Sequence, residues 1–351
     1  MPHRDVIVIG ASSGGVQALC ELCQLLPPDF PASIFVVIHI GANPSIMPDI
    51  LRGCGKLHAE HATNGMLPER GHIYVAPPDR HMLIENGQIR LTRGPKEHHT
   101  RPAIDPLFRS AALDCGERTV GVVLTGNLDD GTLGMKAIQA CGGVLVVQDP
   151  GEAEATRMPE SVLENVKVDH CLSLAQIAQT LIDLTAESVE LTARPPPKWL
   201  VMEHSASLSE GQSATKNLEH IGKQSSLVCP ECTGTLWELQ DNQPLRYRCH
   251  TGHAYSLQSL AYHQRMSTEA ALWSAVRALQ DRELVLRKMA GLSRDLGHTA
   301  LAQDQENAAN LVAAHGLQVQ ELAADEMESL YSESAQSERS PPALDGGRSD
   351  T

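Results

Sequence analysis

The chain has 351 residues, 42% of them hydrophobic but only 3% aromatic, and a formal net charge of -15. That length allows two or more domains, with cores resting on Val, Ile, Leu and Ala, and the acidic balance argues against nucleic acid or an anionic membrane as the main partner. No apolar run approaches the roughly 20 residues that span a bilayer, and Met1 to Asp5 lead into a short strand without a signal-peptide pattern. With most of its nine cysteines scattered, the chain reads as cytoplasmic, with reduced thiols and no membrane insertion.

Val6-Ile7-Val8-Ile9 is a continuous apolar run, followed by the glycine-rich stretch Gly10 to Gly15 and an amphipathic segment through Leu26. Ile34 to Ile38, Val120 to Leu124 and Val144 to Val147 are similar runs separated by helical patterns. Such runs predict a doubly wound, mostly parallel α/β sheet covered on both faces. His72 to Ala76 and His81 to Leu91 are expected to be antiparallel, the latter turning at Glu85-Asn86-Gly87-Gln88, since Asn-Gly supplies the positive φ that tight hairpins need.

Gly10-Ala11-Ser12-Ser13-Gly14 fits G-x-S-x-G between a strand and a helix, where a sharp turn lifts a serine hydroxyl above the sheet. The competing reading is a phosphate loop, but neither G-x-G-x-x-G nor a following Gly-Lys-Ser/Thr is present. His39 ends the second apolar run, where open α/β sheets place their sites; a structural histidine is the bland alternative. Asp129 and Asp130 follow the run ending at Leu124 and compete for a carboxylate role, against ordinary Asp-Gly turn chemistry. Three strand ends thus offer a nucleophile, a base and an acid in the order Ser, His, Asp, unlike the Ser, acid, His order of α/β-hydrolases.

Val8-Ile9-Gly10-Ala11-Ser12-Ser13-Gly14-Gly15, Tyr74 to Asp79, Arg101-Pro102-Ala103-Ile104-Asp105, Leu124-Thr125-Gly126 with Asp130-Gly131, and Gln148-Asp149-Pro150 resemble the catalytic domain of CheB, the protein-glutamate methylesterase of bacterial chemotaxis. The resemblance implies Ser12 as nucleophile, His39 as general base and Asp130 as its orienting carboxylate, which the usual triad chemistry places near Nδ1. It implies hydrolysis of glutamate methyl esters on chemoreceptor signalling helices, glutamine deamidation as a second activity, and no catalytic cofactor. A chemotaxis methyltransferase or other signalling protein is a further partner. Three departures stand out. The family's receiver domain is not seen before the esterase, so activity without a phosphodonor is expected. Asn127-Leu128 replaces a common Met-Gly, and Ile40-Gly41 replaces Met-Pro.

The boundaries read as residues 1–188 for the esterase, 189–225 for a Pro- and Ser-rich linker, 226–256 for a zinc-ribbon-like module, 257–324 for a helical hairpin and 325–351 for a disordered acidic tail. Cys229-Pro230-Glu231-Cys232 and Cys249-His250-Thr251-Gly252-His253 form two half-sites. Cys229, Cys232, Cys249 and His253, with His250 as the alternative fourth donor, predict a closed structural zinc site. In the hairpin, Met266, Leu272, Trp273, Val276 and Leu279 form an apolar stripe, and Gly291 and Gly297 are expected to break the helix. The linker implies a module that stands apart, so a fragment of residues 1–190 is expected to keep activity on a small ester. Competing functions are a small-molecule esterase or acyl transferase on the same residues, and a signalling scaffold with a vestigial site.

Overall fold

The computed structural model describes residues 2–39, 42–192, 195–208, 218, 222–239 and 244–337. Ile40, Gly41 and Arg194, which the sequence reading singled out, lie outside them, as do residues 338–351. The elements before the linker are β1 (Val6–Ala11), α1 (Gly15–Leu25), β2 (Ser33–Ile38), α2 (Met47–Cys54), β3 (His58–His61), β4 (His72–Val75), β5 (His81–Glu85), β6 (Gln88–Thr92), α3 (Ile104–Cys115), β7 (Thr119–Val123), α4 (Thr132–Ala140), β8 (Val144–Gln148), α5 (Arg157–Asn165), β9 (His170–Leu172) and α6 (Leu174–Ala186). Seven strands form one parallel sheet in the order β3-β4-β2-β1-β7-β8-β9.

The continuous apolar runs follow from burial on both faces. Ile7 and Ile9 point to one side, with Leu19 and Leu22 of α1, Leu51 of α2 and Leu181 of α6. Val6 and Val8 point to the other, with Ile104 and Phe108 of α3, Met135 and Ile138 of α4 and Val162 of α5. β4 was expected to be antiparallel; instead it pairs in parallel with β2 and β3. Ile73, Tyr74 and Val75 are all buried, which is the demand of an inner parallel strand rather than a half-wet hairpin arm. β5 and β6 do form the expected hairpin, with Asn86 at φ 51 and Gly87 at φ 72. Cys20 and Cys54, read as free thiols from sequence, are paired as a disulfide between α1 and α2.

The segment read as a linker contains structure. Helix α7 (Lys198–Leu208) buries Leu200 in the α3 side of the core and Glu203 in an ionic cluster. Beyond it, β10 (Gly222–Val228), β11 (Thr235–Leu239), β12 (Arg246–Cys249) and β13 (Ala254–Ser256) form an antiparallel sheet. This sheet does not stand apart: Met1–Leu260 is one compact unit and Ala261–Thr351 another. Buried arginines explain the fusion. Arg248 Nη2 lies 3.2 Å from Glu97, which also takes two bonds from Arg109, while Arg246 pairs with Glu203. Cutting at residue 190 would therefore expose this cluster and remove three of its five charged members. The fragment of residues 1–190, expected to keep activity on a small ester, would have to do so without Glu203, Arg246 and Arg248.

The second unit holds most of the helix Leu257–Asp295 and the helix Thr299–Ser337. The chain runs helically through Gly291 and breaks at Gly297, φ 80. The last helix continues to Ser337 where a disordered tail was expected from 325. Of the predicted stripe, Val276 is buried, whereas Met266 and Trp273 are exposed. Ser293 to Gln305, Arg287 to Asn310 and Arg294 to Glu306 join the two helices.

One close approach governs the centre of the sheet. A Cβ on Gly10 would sit 2.5 Å from Ile104 Cγ2, so α3 can lie directly over β1 only if that residue is glycine. Gly10→Ala is expected to lower stability by about 1–3 kcal/mol, the usual overpacking cost. Gly53→Ala, at a helix position with open space around it, should be neutral or stabilising by up to about 1 kcal/mol. Urea midpoints of the two variants check this.

Candidate active site

β1, β2 and β7 are neighbours, and Ser12, His39 and Asp130 follow their C-terminal ends. Ser12 is fixed at the turn into α1 by its own N–H, which donates to Thr125 O at 3.0 Å. Gly14 takes φ 73, and Gly15 N–H returns to Ser12 O. Among the described residues no protein acceptor meets Ser13 N–H or Gly14 N–H, so the start of α1 presents two donors beside the Ser12 hydroxyl. Gly126 completes the cradle, since a Cβ there would sit 2.8 Å from Ser12 Cβ and 2.1 Å from Met158 Sδ.

The structure brings the three predicted residues into one hydrogen-bonded chain. Ser12 Oγ lies 3.1 Å from His39 Nδ1, and His39 Nε2 lies 2.8 Å from Asp130 Oδ2. The carboxylate therefore sits on Nε2 and the serine on Nδ1, the reverse of the expected assignment. The chemistry is unaffected, because an imidazole can carry its proton on either nitrogen. An ionised Asp130 only accepts, so His39 donates Nε2–H to it and turns the Nδ1 lone pair to the Ser12 hydroxyl.

Asp130 is 2% exposed. Its Oδ2 also accepts Ile104 N–H at 2.7 Å and its Oδ1 accepts Asp105 N–H at 3.0 Å, at the N-terminus of α3. Asp105 does the reciprocal service for α4, its Oδ1 accepting Gly131 N–H at 3.1 Å and Gly134 N–H at 2.7 Å. Burial alone would raise the Asp130 carboxyl, but the nearby His98 charge, the His39 hydrogen bond and the Ile104 N–H bring it down to about 2. Asp129 faces elsewhere. Its carboxylate lies 3.6 Å from His98 Nδ1 and is partnered by the Ser256 side chain, and its pKa is raised by burial.

Sequence reasoning missed His98, which carries no motif signal. It is 4% exposed, and as an imidazolium it donates Nε2–H to Asp105 Oδ2 at 3.1 Å and Nδ1–H to Ser259 Oγ at 3.2 Å. Burial opposes its charge, but Asp130, Asp105 and Asp129 outweigh that and push its pKa up to about 9. His98, Asp105 and Asp130 converge closely enough to hold a metal. Their hydrogen bonds already use the carboxylate oxygens, so the set reads as a neutralised charge cluster.

Other motifs meet around this point. Arg101 pairs with Asp79, and Gln148 Oε1 accepts Thr125 N–H, which fixes the strand end that holds Ser12. Leu128, where a glycine was the expected residue, keeps φ 63. The loop thus holds a left-handed turn at a backbone cost of about 1–2 kcal/mol for a side-chain-bearing residue. Away from the site, Cys229, Cys232, Cys249 and His253 have their donor atoms within 4.8 Å of one another. The ring of His250, the alternative fourth donor, instead packs on Gly234.

The family model of the CheB methylesterase matches residues 7–181. A Leptospira interrogans protein carrying the paired names protein-glutamate methylesterase and protein-glutamine glutaminase is 38% identical over 190 residues, 54% of this chain and 98% of its own length. The protein-glutamate methylesterase/protein-glutamine glutaminase 2 of Anaeromyxobacter dehalogenans is 37% identical over 52% of this chain. Its counterpart in Pyrococcus horikoshii is 36% identical over a like share. The chain spans 53% and 51% of those two relatives. The crystal structure of the Thermotoga maritima CheB methylesterase catalytic domain superposes with a TM-score of 0.50 at 31% identity, covering 52% of this chain and all of that one.

His98 gives a pH prediction. Its folded pKa of about 9 lies above the ordinary 6.5, so the native state holds a proton that the unfolded chain releases. The stabilisation is complete below pH 6.5 and is lost as pH rises through 9, by about 3 kcal/mol in all. Urea unfolding at pH 6 and pH 9.5 should show this fall in the natural protein, and His98→Gln should flatten it.

Proposed function

The chain belongs to the CheB methylesterase family, and on that premise we propose that Ser12, His39 and Asp130 form a catalytic triad that hydrolyses glutamate methyl esters on chemoreceptor signalling helices. The observation that carries the reading is the chain of hydrogen bonds from Ser12 Oγ through His39 to the buried Asp130 carboxylate. Ser12 Oγ attacks the ester carbonyl while His39 Nδ1 takes its proton. The oxyanion forms at the start of α1, where Ser13 N–H and Gly14 N–H meet no protein acceptor among the described residues and can donate to it. His39 then protonates the departing methoxide, and methanol leaves a Ser12 acyl ester. Water, deprotonated by His39, attacks that ester and releases the glutamate carboxylate and the serine hydroxyl. A glutamine side chain follows the same steps with ammonia as the leaving group, and the names of the relatives favour this second activity. Asp130 stabilises the imidazolium that forms in each half-reaction.

The half-burial of His39, whose side chain is 14% exposed, suits a substrate presented from outside, as a side chain on a helix surface would be. A small-molecule esterase would use the same triad, so the test must compare substrates. Methanol release from methyl-labelled receptor membranes is expected, with a much lower rate on a nitrophenyl ester. The opposite preference would overturn the receptor assignment.

Two pairs of substitutions test the triad. Ser12→Ala should retain the fold and lower turnover by on the order of 10^4 or more, while Ser13→Ala keeps most activity. Asp130→Asn should fall by a similar order, because a neutral amide can present its NH2 to Nε2 and hold the wrong tautomer. Asp129→Asn should cost far less. Equal, modest losses at positions 129 and 130 in steady-state assays would remove Asp130 from the mechanism.

A further inference from the structure

The Cys/His sheet reaches the catalytic carboxylate through one short segment, Pro95 to His99. β13 lies beside it: His98 N–H donates to Ala254 O at 2.8 Å, and Ala254 N–H donates to Lys96 O at 3.3 Å. The first half-site grips it by charge, since Glu231, inside Cys229-Pro230-Glu231-Cys232, pairs with Lys96 at 2.6 Å and His99 at 3.1 Å. The second grips it by shape and charge. A Cβ on Gly252 would sit 2.5 Å from Pro95 Cγ, and Arg248 reaches Glu97. Between these contacts His98 and His99 both hold positive φ, 51 and 62. Two such residues in succession cost about 1–3 kcal/mol each and persist only where the surroundings impose them. His98 is thereby aimed at Asp105 and Asp130, which it meets at 3.1 and 3.9 Å.

What holds the two half-sites together is the convergence of their side chains. Cys229 Sγ and Cys249 Sγ lie 3.6 and 3.5 Å from His253 Nδ1, and Cys232 Sγ lies 3.6 Å from Cys249 Sγ. A tetrahedral ion with bonds of about 2.3 Å to sulfur and 2.0–2.1 Å to nitrogen has edges of about 3.5–3.8 Å. Thr251 Oγ1 lies 3.0 Å from Cys232 Sγ and Tyr255 Oη 3.6 Å from Cys229 Sγ, the outer hydrogen bonds that orient metal thiolates. Among the described residues the hydrophobic cluster of this sheet holds six buried side chains, and Cys229 and Cys249 are two of them.

We propose that Cys229, Cys232, Cys249 and His253 bind one zinc-class divalent ion, and that this ion clamps Pro95–His99 so that His98 backs the catalytic Asp130. Four protein donors leave no open position, so the ion takes no part in bond making. His98 is a positioning residue, and its effect on turnover rests on the triad reading above.

The test uses the full chain. Purified protein should carry one equivalent of zinc by elemental analysis, and cobalt substitution should give the strong visible bands of a tetrahedral thiolate site. Stripping with a chelator under reducing conditions should speed hydrogen exchange in peptides covering 94–105 and lower kcat about 10–100-fold with little change in KM. Added zinc should restore both. Glu231→Gln should keep its metal yet speed exchange over the same peptides, and it decides the matter if the stripped protein unfolds as a whole. Absence of stoichiometric metal, or unchanged exchange at 94–105 in both the stripped protein and the variant, overturns the proposal. A metal-loaded protein that turns over no ester defeats the triad reading alone, because metal content and exchange still decide the clamp.

Discussion

A carboxylate buried at 2% exposure must be kept ionised and aimed, and much of the architecture around the site serves that requirement. Asp130 is supplied with two backbone N–H groups from the start of α3, one imidazole N–H from His39, and the nearby charge of His98. Asp105, on α3, caps α4 in return. The two helix N-termini are therefore locked to each other through side chains, one of which also orients His39. A shift of either helix would be felt at His39, which is why the fold and the site are hard to separate here.

The parts legible in the sequence are those where one residue type has one physical use. Val6 to Ile9 can only be a strand buried on both faces, and the turn from Gly10 to Gly15 needs glycine for left-handed backbone and close approach. Strand ends and turn residues marked Ser12, His39 and the pair Asp129 and Asp130, and the family resemblance chose Asp130 between the two. The short strands β3 and β9 escaped notice, since His58–His61 and His170–Leu172 have no apolar run to announce an edge. β4 was given the wrong direction, since a strand's partners are set by tertiary approach rather than by its own residues. The nitrogens of His39 were assigned in the wrong sense, as ring orientation depends on tertiary approach alone.

The larger omission was long-range charge. Glu97, Arg109, Glu203, Arg246 and Arg248 are scattered over some 150 positions and look like ordinary surface residues in the sequence. Folded, all five are 1% exposed or less. Such a cluster has a high desolvation cost and tolerates no missing member, because each unpartnered charge would cost several kcal/mol. It fixes where the Cys/His sheet must sit more firmly than apolar contact would. The Pro-rich stretch that signalled independence is only the path between two parts of one body.

The backing of His98 by Ser259 has a consequence for how the protein is made. Ser12, His39 and Asp130 all leave the ribosome long before residue 259 does. At 5–20 residues per second the interval is on the order of ten seconds. During that time the nascent chain has Ser12, His39 and Asp130 but lacks the hydroxyl that His98 meets, and it lacks Arg246 and Arg248, which pair with Glu203 and Glu97. The full set of contacts behind Asp130 is thus deferred until translation has passed the last strand of the small sheet. A message cut short before that point would yield a chain with Ser12, His39 and Asp130 in it and their surroundings unfinished.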